Sequence, residues 1–119
     1  KVQIYCTPDV PSFDLCAVLS TVHPNGKVFN FTQGYIKIDK HNLTKKVSIT
    51  LQPTCMYIAP DNSLRLSISA ACFPTYPVNS GTGKPLQTTR LIDMQIITLA
   101  IHSGADYPSL VQLPMNNYQ

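Results

Sequence analysis

Tryptophan and glutamate are absent from this chain of 119 residues, and charged residues make up only 13% of it. Long apolar runs are absent too, since polar residues interrupt each of them well before the roughly 20 residues that cross a bilayer. The formal net charge is +3. Lysines cluster at Lys37, Lys40, Lys45 and Lys46, but without the arginines and interleaved aromatic residues typical of a nucleic-acid site. We therefore predict no membrane span and no nucleic-acid partner.

Side chains that could carry chemistry are few and scattered. His23 and His41 lie in polar turns, where solvated positions are favoured, and His102 ends an apolar run without a neighbouring nucleophile, so a structural role is favoured for it. The six acidic residues are all aspartates and include no close pair for acid–base catalysis. Asp14 and Asp93 lie within strand patterns, where a buried, hydrogen-bonded carboxylate is favoured over a calcium ligand. We predict no catalytic residue, no metal and no cofactor.

The cysteines argue against a zinc site. Four are present, Cys6, Cys16, Cys55 and Cys72, and none forms a Cys-x-x-Cys pair. Cys6 and Cys16 could face each other on adjacent strands, but buried free thiols in a cytosolic protein are favoured. Asn30 and Asn42 begin Asn-x-Thr triplets of the glycosylation type, which also arise by chance. We expect a cytoplasmic protein.

Short alternating segments run along most of the chain. In residues 64–69 (LRLSIS) apolar and polar residues alternate, which predicts a half-buried strand with Leu64, Leu66 and Ile68 facing a core. The same reasoning predicts strands at residues 2–6, 13–20, 28–38 and 46–51. Apolar residues of these strands should face inward, among them Phe13, Leu15, Ala17, Leu19, Val47, Ile49 and Leu51.

Turn residues separate these strands. The Asn-Gly pair within residues 23–27 predicts a tight hairpin, and Gly34 is expected to permit a bend. Residues 59–63 predict a turn, residues 40–45 a polar connection, and residues 75–85 a loop rich in proline, glycine, asparagine and serine.

Residues 91–101 form the longest apolar run. Its β-branched residues favour a strand over a helix. Nowhere do ten or more residues combine helical periodicity, caps and good helix formers. An all-β sandwich of one domain, residues 1–119, is therefore predicted, because many short strands must bury two inner faces against each other. Periodicity alone leaves the jelly roll and the immunoglobulin-like arrangement equally open.

Residues 2–6 alternate as a strand from the start of the chain. We interpret the chain as a fragment on this basis. If no other strand covers residues 2–6, they would leave an unpaired sheet edge. We expect an upstream segment or a second copy of the chain to complete that edge. In the second case the chain forms a homo-oligomer through this edge.

Residues 51–83 (LQPTCMYIAPDNSLRLSISAACFPTYPVNSGTG) resemble the C-terminal non-catalytic domain of the X-Pro dipeptidyl peptidase and cocaine esterase group of serine hydrolases. The similar motifs are LQPT at residues 51–54, LRLSIS at 64–69, FPTY at 73–76 and NSGTG at 79–83, with flanking pieces at 14–27 and 101–114. Gln52 stands where the group usually has Trp, Asp61 and Asn62 where it has Gly-His, and Thr75 where it has Arg. These departures leave the subfamily open.

The resemblance implies a jelly roll of the galactose-binding type and an accessory role. The domain would pack on the α/β-hydrolase catalytic domain of the same parent chain and help to shape its substrate cleft. The catalytic serine, histidine and aspartate would lie upstream, and this chain indeed lacks the Gly-x-Ser-x-Gly elbow that holds such a serine. We expect Phe73, Tyr76 and His102 to contribute to the domain interface, because Phe73 and Tyr76 are apolar anchors on a polar loop.

A free-standing module that binds carbohydrate or another ligand is the competing hypothesis, since jelly rolls commonly do so. Such sites usually present exposed stacked aromatic residues, and this chain has no tryptophan. The accessory role is therefore favoured.

Overall fold

The computed structural model describes residues 1–39 and 46–116. Seven strands are present in this part of the chain: β1 (Val2–Pro8), β2 (Phe13–Val22), β3 (Val28–Ile38), β4 (Lys46–Ile49), β5 (Ser63–Ser69), β6 (Leu99–His102) and β7 (Leu110–Val111). Two short 3-10 turns, Leu86–Thr88 and Leu91–Asp93, precede β6. None of the helical segments among the described residues is long and apolar enough to cross a membrane.

The strands form two antiparallel sheets, so the predicted β-sandwich is confirmed. In the first sheet the order is β4-β1-β6, and β7 also pairs with β1. In the second sheet the order is β3-β2-β5, with Cys16 of β2 opposite Tyr35 of β3 and Ser69 of β5. The β2–β3 hairpin closes through residues 23–27 as predicted, where Gly26 adopts a φ of +85° that favours glycine. The galactose-binding type of jelly roll stays a prediction.

The core lies between the two sheets and follows the period-two pattern of the sequence. Its buried members are Val2, Ile4, Cys6, Val10, Phe13, Leu15, Ala17, Ile38, Val47 and Ile49. Each large aliphatic or aromatic side chain of this kind contributes about 2 kcal/mol to folding when it leaves water. Leu51 packs against the cluster and is partly buried, so the inward face predicted for residues 46–51 is confirmed.

The expectation of an unpaired sheet edge at residues 2–6 is wrong. Strand β1 is central: it pairs with β4 through Val2–Tyr5 on one side, and with β6 and β7 on the other. The sequence could not show this, because the partner strands are separated from β1 by roughly forty to a hundred residues of chain.

The strand predicted for residues 91–101 is wrong over most of its length. Only Leu99–His102 is a strand, and residues 91–93 form a 3-10 turn. Leu91, Ile92 and Ile96 are 83%, 84% and 91% exposed, so these apolar side chains are not core residues at all. The composition of the run indicated burial, but only its later part, with Ile97 and Leu99, packs against the core.

Two smaller expectations are also corrected. Of the three β5 side chains expected to face the core, Leu66 and Ile68 pack against it, whereas Leu64 is exposed. Gly34 does not bend the chain, because β3 runs through it as one strand. Instead it allows a close approach, since a Cβ atom there would lie 2.5 Å from the carbonyl oxygen of Thr50.

Candidate functional site

The loop that follows β5 folds back across the outer face of the second sheet. The backbone N–H of Tyr76 donates a hydrogen bond to the carbonyl oxygen of Cys72, which closes a turn. The ring of Tyr76 then stacks on the ring of Tyr35 in β3, with a centroid separation of 3.8 Å and an interplanar angle of 6°. Residues 70–85 therefore form an ordered cover on β2 and β3, and we call them the covering loop.

A buried polar cluster holds the covering loop to β2. The Asn79 side-chain amide donates hydrogen bonds to the Asp14 carboxylate at 2.8 Å and to the Ser12 hydroxyl at 3.0 Å. The Ser12 hydroxyl in turn donates to the Asp39 carboxylate at 3.0 Å. Asp14 is only 2% exposed, so these bonds replace the water that its carboxylate loses on folding. The buried, hydrogen-bonded role predicted for Asp14 is confirmed.

The phenol of Tyr35 belongs to the same cluster. It donates a hydrogen bond to the Asp14 carboxylate, and burial together with this bond raises the pKa of Tyr35 well above its usual range. Tyr35 therefore stays protonated and serves as a hydrogen-bond donor, not as a base.

The NSGTG turn shapes the end of the covering loop. The side-chain Oδ1 atom of Asn79 accepts a hydrogen bond from the Gly81 N–H at 2.9 Å, and the Ser80 and Thr82 hydroxyls lie 2.7 Å apart. Gly81 has a φ of +77°, and its α-carbon faces Ile97. The polar groups of the motif thus pair with one another and with neighbouring elements, which supports a structural role for these residues.

No cavity for a sizeable ligand accompanies this cluster. The space beside it measures about 60 Å³ and is lined by Asp14, Tyr35, Lys37, Asn79 and Lys84 among others. Ligand pockets usually measure about 300–1,000 Å³. Among the described residues, no group of three histidine, cysteine or acidic side chains could hold a metal ion.

The three residues expected at a domain interface occupy two places. Phe73 is 73% exposed at the start of the covering loop, and Tyr76 is half-buried in its stack on Tyr35. His102 lies in β6 of the first sheet, where its Nε2 atom is 2.9 Å from the Thr7 hydroxyl and its ring is 5.0 Å from that of Tyr107. The structure therefore does not bring His102 together with the covering loop.

Other candidate residues lie as follows. His23 is exposed in its hairpin turn, and His41 falls outside the described residues, as does the glycosylation triplet at Asn42. Asp93 is not in a strand: it pairs with Arg90 at 3.2 Å, and this contact lowers the pKa of the Asp93 carboxyl. Its carboxylate caps the turn Leu91–Asp93.

The four cysteines are free thiols. Cys6 and Cys16 are both buried, as predicted, but they lie in different sheets and do not face each other. The neighbour of Cys16 is instead Cys72 of the covering loop. Burial raises the pKa of the Cys16 thiol to about 11, and a hydrogen bond with Cys72 adds to the shift. This contact gave no signal in the sequence, since 56 positions separate the two residues.

An apolar surface beside the covering loop was missed by sequence reasoning. It consists of Leu86, Leu91, Ile92, Met94 and Ile96, all exposed, and we call it the 86–96 surface. The backbone N–H of Gln95 donates to the carbonyl oxygen of Ser80 at 2.9 Å, which ties this segment to the NSGTG turn. The aliphatic residues are visible in the sequence, but the composition of residues 91–101 favours a strand there and gives no sign of an exposed surface.

Comparison with known proteins gives a family and a distant relative. The family model described as the X-Pro dipeptidyl-peptidase C-terminal non-catalytic domain matches residues 1–112. The cocaine esterase of Rhodococcus sp. (strain MB1 Bresler) is 23% identical over 124 residues, which cover 95% of this chain and 22% of the esterase. The chain thus spans about a fifth of the length of this relative. No solved structure matches the chain.

Proposed function

The chain belongs to the family of X-Pro dipeptidyl-peptidase C-terminal non-catalytic domains, and on that premise we propose that it packs against the α/β-hydrolase catalytic domain of its parent chain through the 86–96 surface and Phe73. In this position the domain helps to wall the substrate cleft. The parent is a serine hydrolase of the X-Pro dipeptidyl peptidase or esterase type, whose catalytic serine, histidine and aspartate lie outside this chain.

Exposed aliphatic side chains on a short segment carry this proposal. Leu91, Ile92 and Ile96 are each more than 80% exposed, Leu86 on the same segment is 52% exposed, and Phe73 at the start of the covering loop is 73% exposed. Scattered exposed apolar residues need no explanation, but several on one segment are typical of an interaction surface. Burial of such side chains in a protein partner stabilises the contact by about 2 kcal/mol each.

The local backbone presents these side chains and does not bury them. In the turn Leu91–Asp93 the N–H groups of Asp93 and Met94 donate to the carbonyl oxygens of Arg90 and Leu91. The Asp93 carboxylate accepts from both the backbone and the side chain of Arg90, each at 3.2 Å. Because these groups are paired within the turn, they can enter an apolar interface without losing hydrogen bonds to water.

The covering loop gives this surface a firm base. Its stack on Tyr35 and its hydrogen bonds to Asp14 fix residues 76–81, and the bond from Gln95 to Ser80 fixes the 86–96 surface to them. A surface that is ordered before contact loses little conformational entropy when it docks. Such a rigid support suits an accessory domain that holds one wall of a cleft.

Footprinting with hydroxyl radicals in the full-length parent tests the proposal. After correction for intrinsic reactivity, we expect Leu91, Ile92 and Ile96 to be labelled several-fold less than Tyr57 and Met115, which are about equally exposed in this chain. Labelling of all five at similar rates would contradict docking through this surface.

Substitution in the same full-length parent gives a second test. We expect Ile92→Ser together with Ile96→Ser to lower both the midpoint of thermal unfolding and kcat/KM toward X-Pro nitroanilides or aryl esters. The matched control Met115→Ser should change neither quantity. If the double variant retains wild-type stability and activity, the 86–96 surface does not contact the catalytic domain.

A further inference from the structure

The sandwich is closed on one side and open on the other. On the closed side, β4 buries Val47 and Ile49, and Gly34 of β3 lies close to the backbone of Thr50, which follows β4. On the open side, not one residue of β5 or β6 is buried. Among the described strands, β5 pairs only with β2, and β6 pairs only with β1. The outer edge of each of these two strands is therefore without a strand partner in the described part of the chain.

An apolar cleft of about 250 Å³ lies between β5 and β6. Its lining residues are Leu15, Ile68, Ser69, Ala70, Ile97, Leu99 and Ile101. Leu15 belongs to the buried core, and Ile68, Ile97 and Leu99 pack against that core while they also line the cleft. Ile101 is 47% exposed. The cleft is thus a continuation of the core that is open toward water.

We propose that an extended segment of the same parent chain, with alternating apolar side chains, pairs with the outer edge of β5 and fills this cleft. The proposal rests on the parent chain inferred above, since that chain supplies the segment. The part matched in the esterase is only 22% of that protein, so a parent of similar length has ample chain for one more strand.

The chemistry of the site points to a strand in preference to other occupants. The open edge of β5 offers a row of backbone N–H and C=O groups along Ser63–Ser69, and such rows are satisfied by the addition of a strand. Side chains of an added strand alternate between two faces, so every second one would enter the cleft. A small apolar ligand could occupy the cleft but would leave the edge of β5 without hydrogen-bond partners.

The edge that needs completion is therefore not at β1, where the sequence alone suggested one. Strand β1 has partners on both sides, whereas β5 and β6 each have one. The proposal also separates two surfaces: the added strand enters between the sheets, and the catalytic domain contacts the 86–96 surface.

Hydrogen–deuterium exchange with residue-level fragmentation, carried out on the full-length parent, tests the pairing. In an edge strand only alternate amides are hydrogen-bonded, whereas in an interior strand nearly all are. We expect consecutive amides of residues 64–69 to be protected in the parent. Alternating protection would overturn the proposal. Protection of consecutive amides only at high protein concentration would also overturn it, because the partner would then be a second copy of the chain.

Substitution in the cleft gives an independent test in the same parent. Ile101 and Leu110 are 47% and 43% exposed in this chain, but only Ile101 lines the cleft. If a strand fills the cleft, Ile101→Asp should lower the midpoint of thermal unfolding by several degrees more than Leu110→Asp does. Equal effects of the two substitutions would show that the cleft stays open. Where Ile101→Asp does not fold, the exchange pattern of the wild-type parent decides.

The two proposals fail in different ways. If the proposed function is wrong, Leu91, Ile92 and Ile96 react freely with hydroxyl radicals whatever the exchange pattern of β5 shows. If only the added strand is absent, these residues are protected while β5 keeps the alternating pattern of an edge strand.

Discussion

Tyr76 and Tyr35 stack face to face, with ring centroids 3.8 Å apart and planes 6° apart. Tyr35 is in the middle of β3, while Tyr76 is in the covering loop, 41 positions further along the chain. The same Tyr35 side chain donates a hydrogen bond to the buried Asp14 carboxylate, which also accepts from Asn79. The stack and the polar cluster therefore act together to fix the covering loop on the second sheet.

We expect Tyr76→Ala to lower the free energy of unfolding by about 2 kcal/mol, because it removes both the stack and the apolar area that the ring covers. Tyr57→Ala is the matched control, since Tyr57 is 81% exposed and should have little effect. Urea unfolding followed by circular dichroism measures both. Equal midpoints for the two variants would show that the stack does not hold the loop.

Asn79→Ala should cost about 2 kcal/mol, because it leaves the buried Asp14 carboxylate with one hydrogen-bond donor fewer. Asn79→Asp should cost more, since it places a second carboxylate beside Asp14. The exposed Asn116 provides the control Asn116→Asp, which should be neutral. If Asn79→Asp is as stable as the wild type, the hydrogen bond from Asn79 to Asp14 is contradicted.

Cys16 should react with iodoacetamide much more slowly than the exposed Cys55 at pH 9. Burial raises the pKa of the Cys16 thiol from 9.0 to about 11. About 1% of it is then thiolate at pH 9, and only the thiolate attacks the reagent. Peptide mass spectrometry of partly alkylated protein measures the two rates, and in concentrated urea they should become equal. Equal rates in the native state would mean that Cys16 is not buried.

The same shift predicts the direction of a pH effect on stability. The folded pKa of Cys16 lies above the unfolded one, so the unfolded chain loses this proton first as the pH rises. The contribution of Cys16 to the free energy of unfolding is complete below pH 9 and is lost as the pH rises toward about 11. Cys16→Ala should therefore flatten the fall in unfolding midpoint between these two pH values. If the unfolding midpoint of Cys16→Ala falls with pH as steeply as that of the wild type, Cys16 is not the cause of the fall.

Gly34→Ala should destabilise the domain by about 3 kcal/mol through overpacking. A Cβ atom at this position would lie 2.5 Å from the Thr50 carbonyl oxygen and 2.8 Å from the Ile49 side chain. Gly26→Ala is a useful comparison, because its Cβ would meet no atom within 4 Å and only its positive φ opposes the change. Thermal unfolding of both variants measures the difference, and a milder effect at Gly34 than at Gly26 would contradict the close approach.

Strands with strict alternation could be predicted from the sequence, and residues 2–6, 13–20 and 46–51 are the clearest cases. Their apolar side chains recur at every second position, so only one face can lie against a core. The run at residues 91–101 could not be predicted correctly, because composition measures the tendency of a side chain to leave water and not which partner covers it. The 86–96 surface has side chains that tend to leave water, but the 3-10 turn Leu91–Asp93 leaves Leu91 and Ile92 exposed.

The sequence by itself determined that this chain is an all-β sandwich, and its motifs were sufficient to indicate a family of non-catalytic domains. These properties depend on local periodicity, turn residues and short motifs, all of which are present in the linear order of residues. Only the tertiary structure decided that β1 is central, that Cys16 meets Cys72, and that Tyr35, Asp14 and Asn79 form one cluster. Each of these relations joins residues from strands or loops far apart in the chain, and strand pairing across long separations is set by the packing of the whole sandwich, not by any one segment.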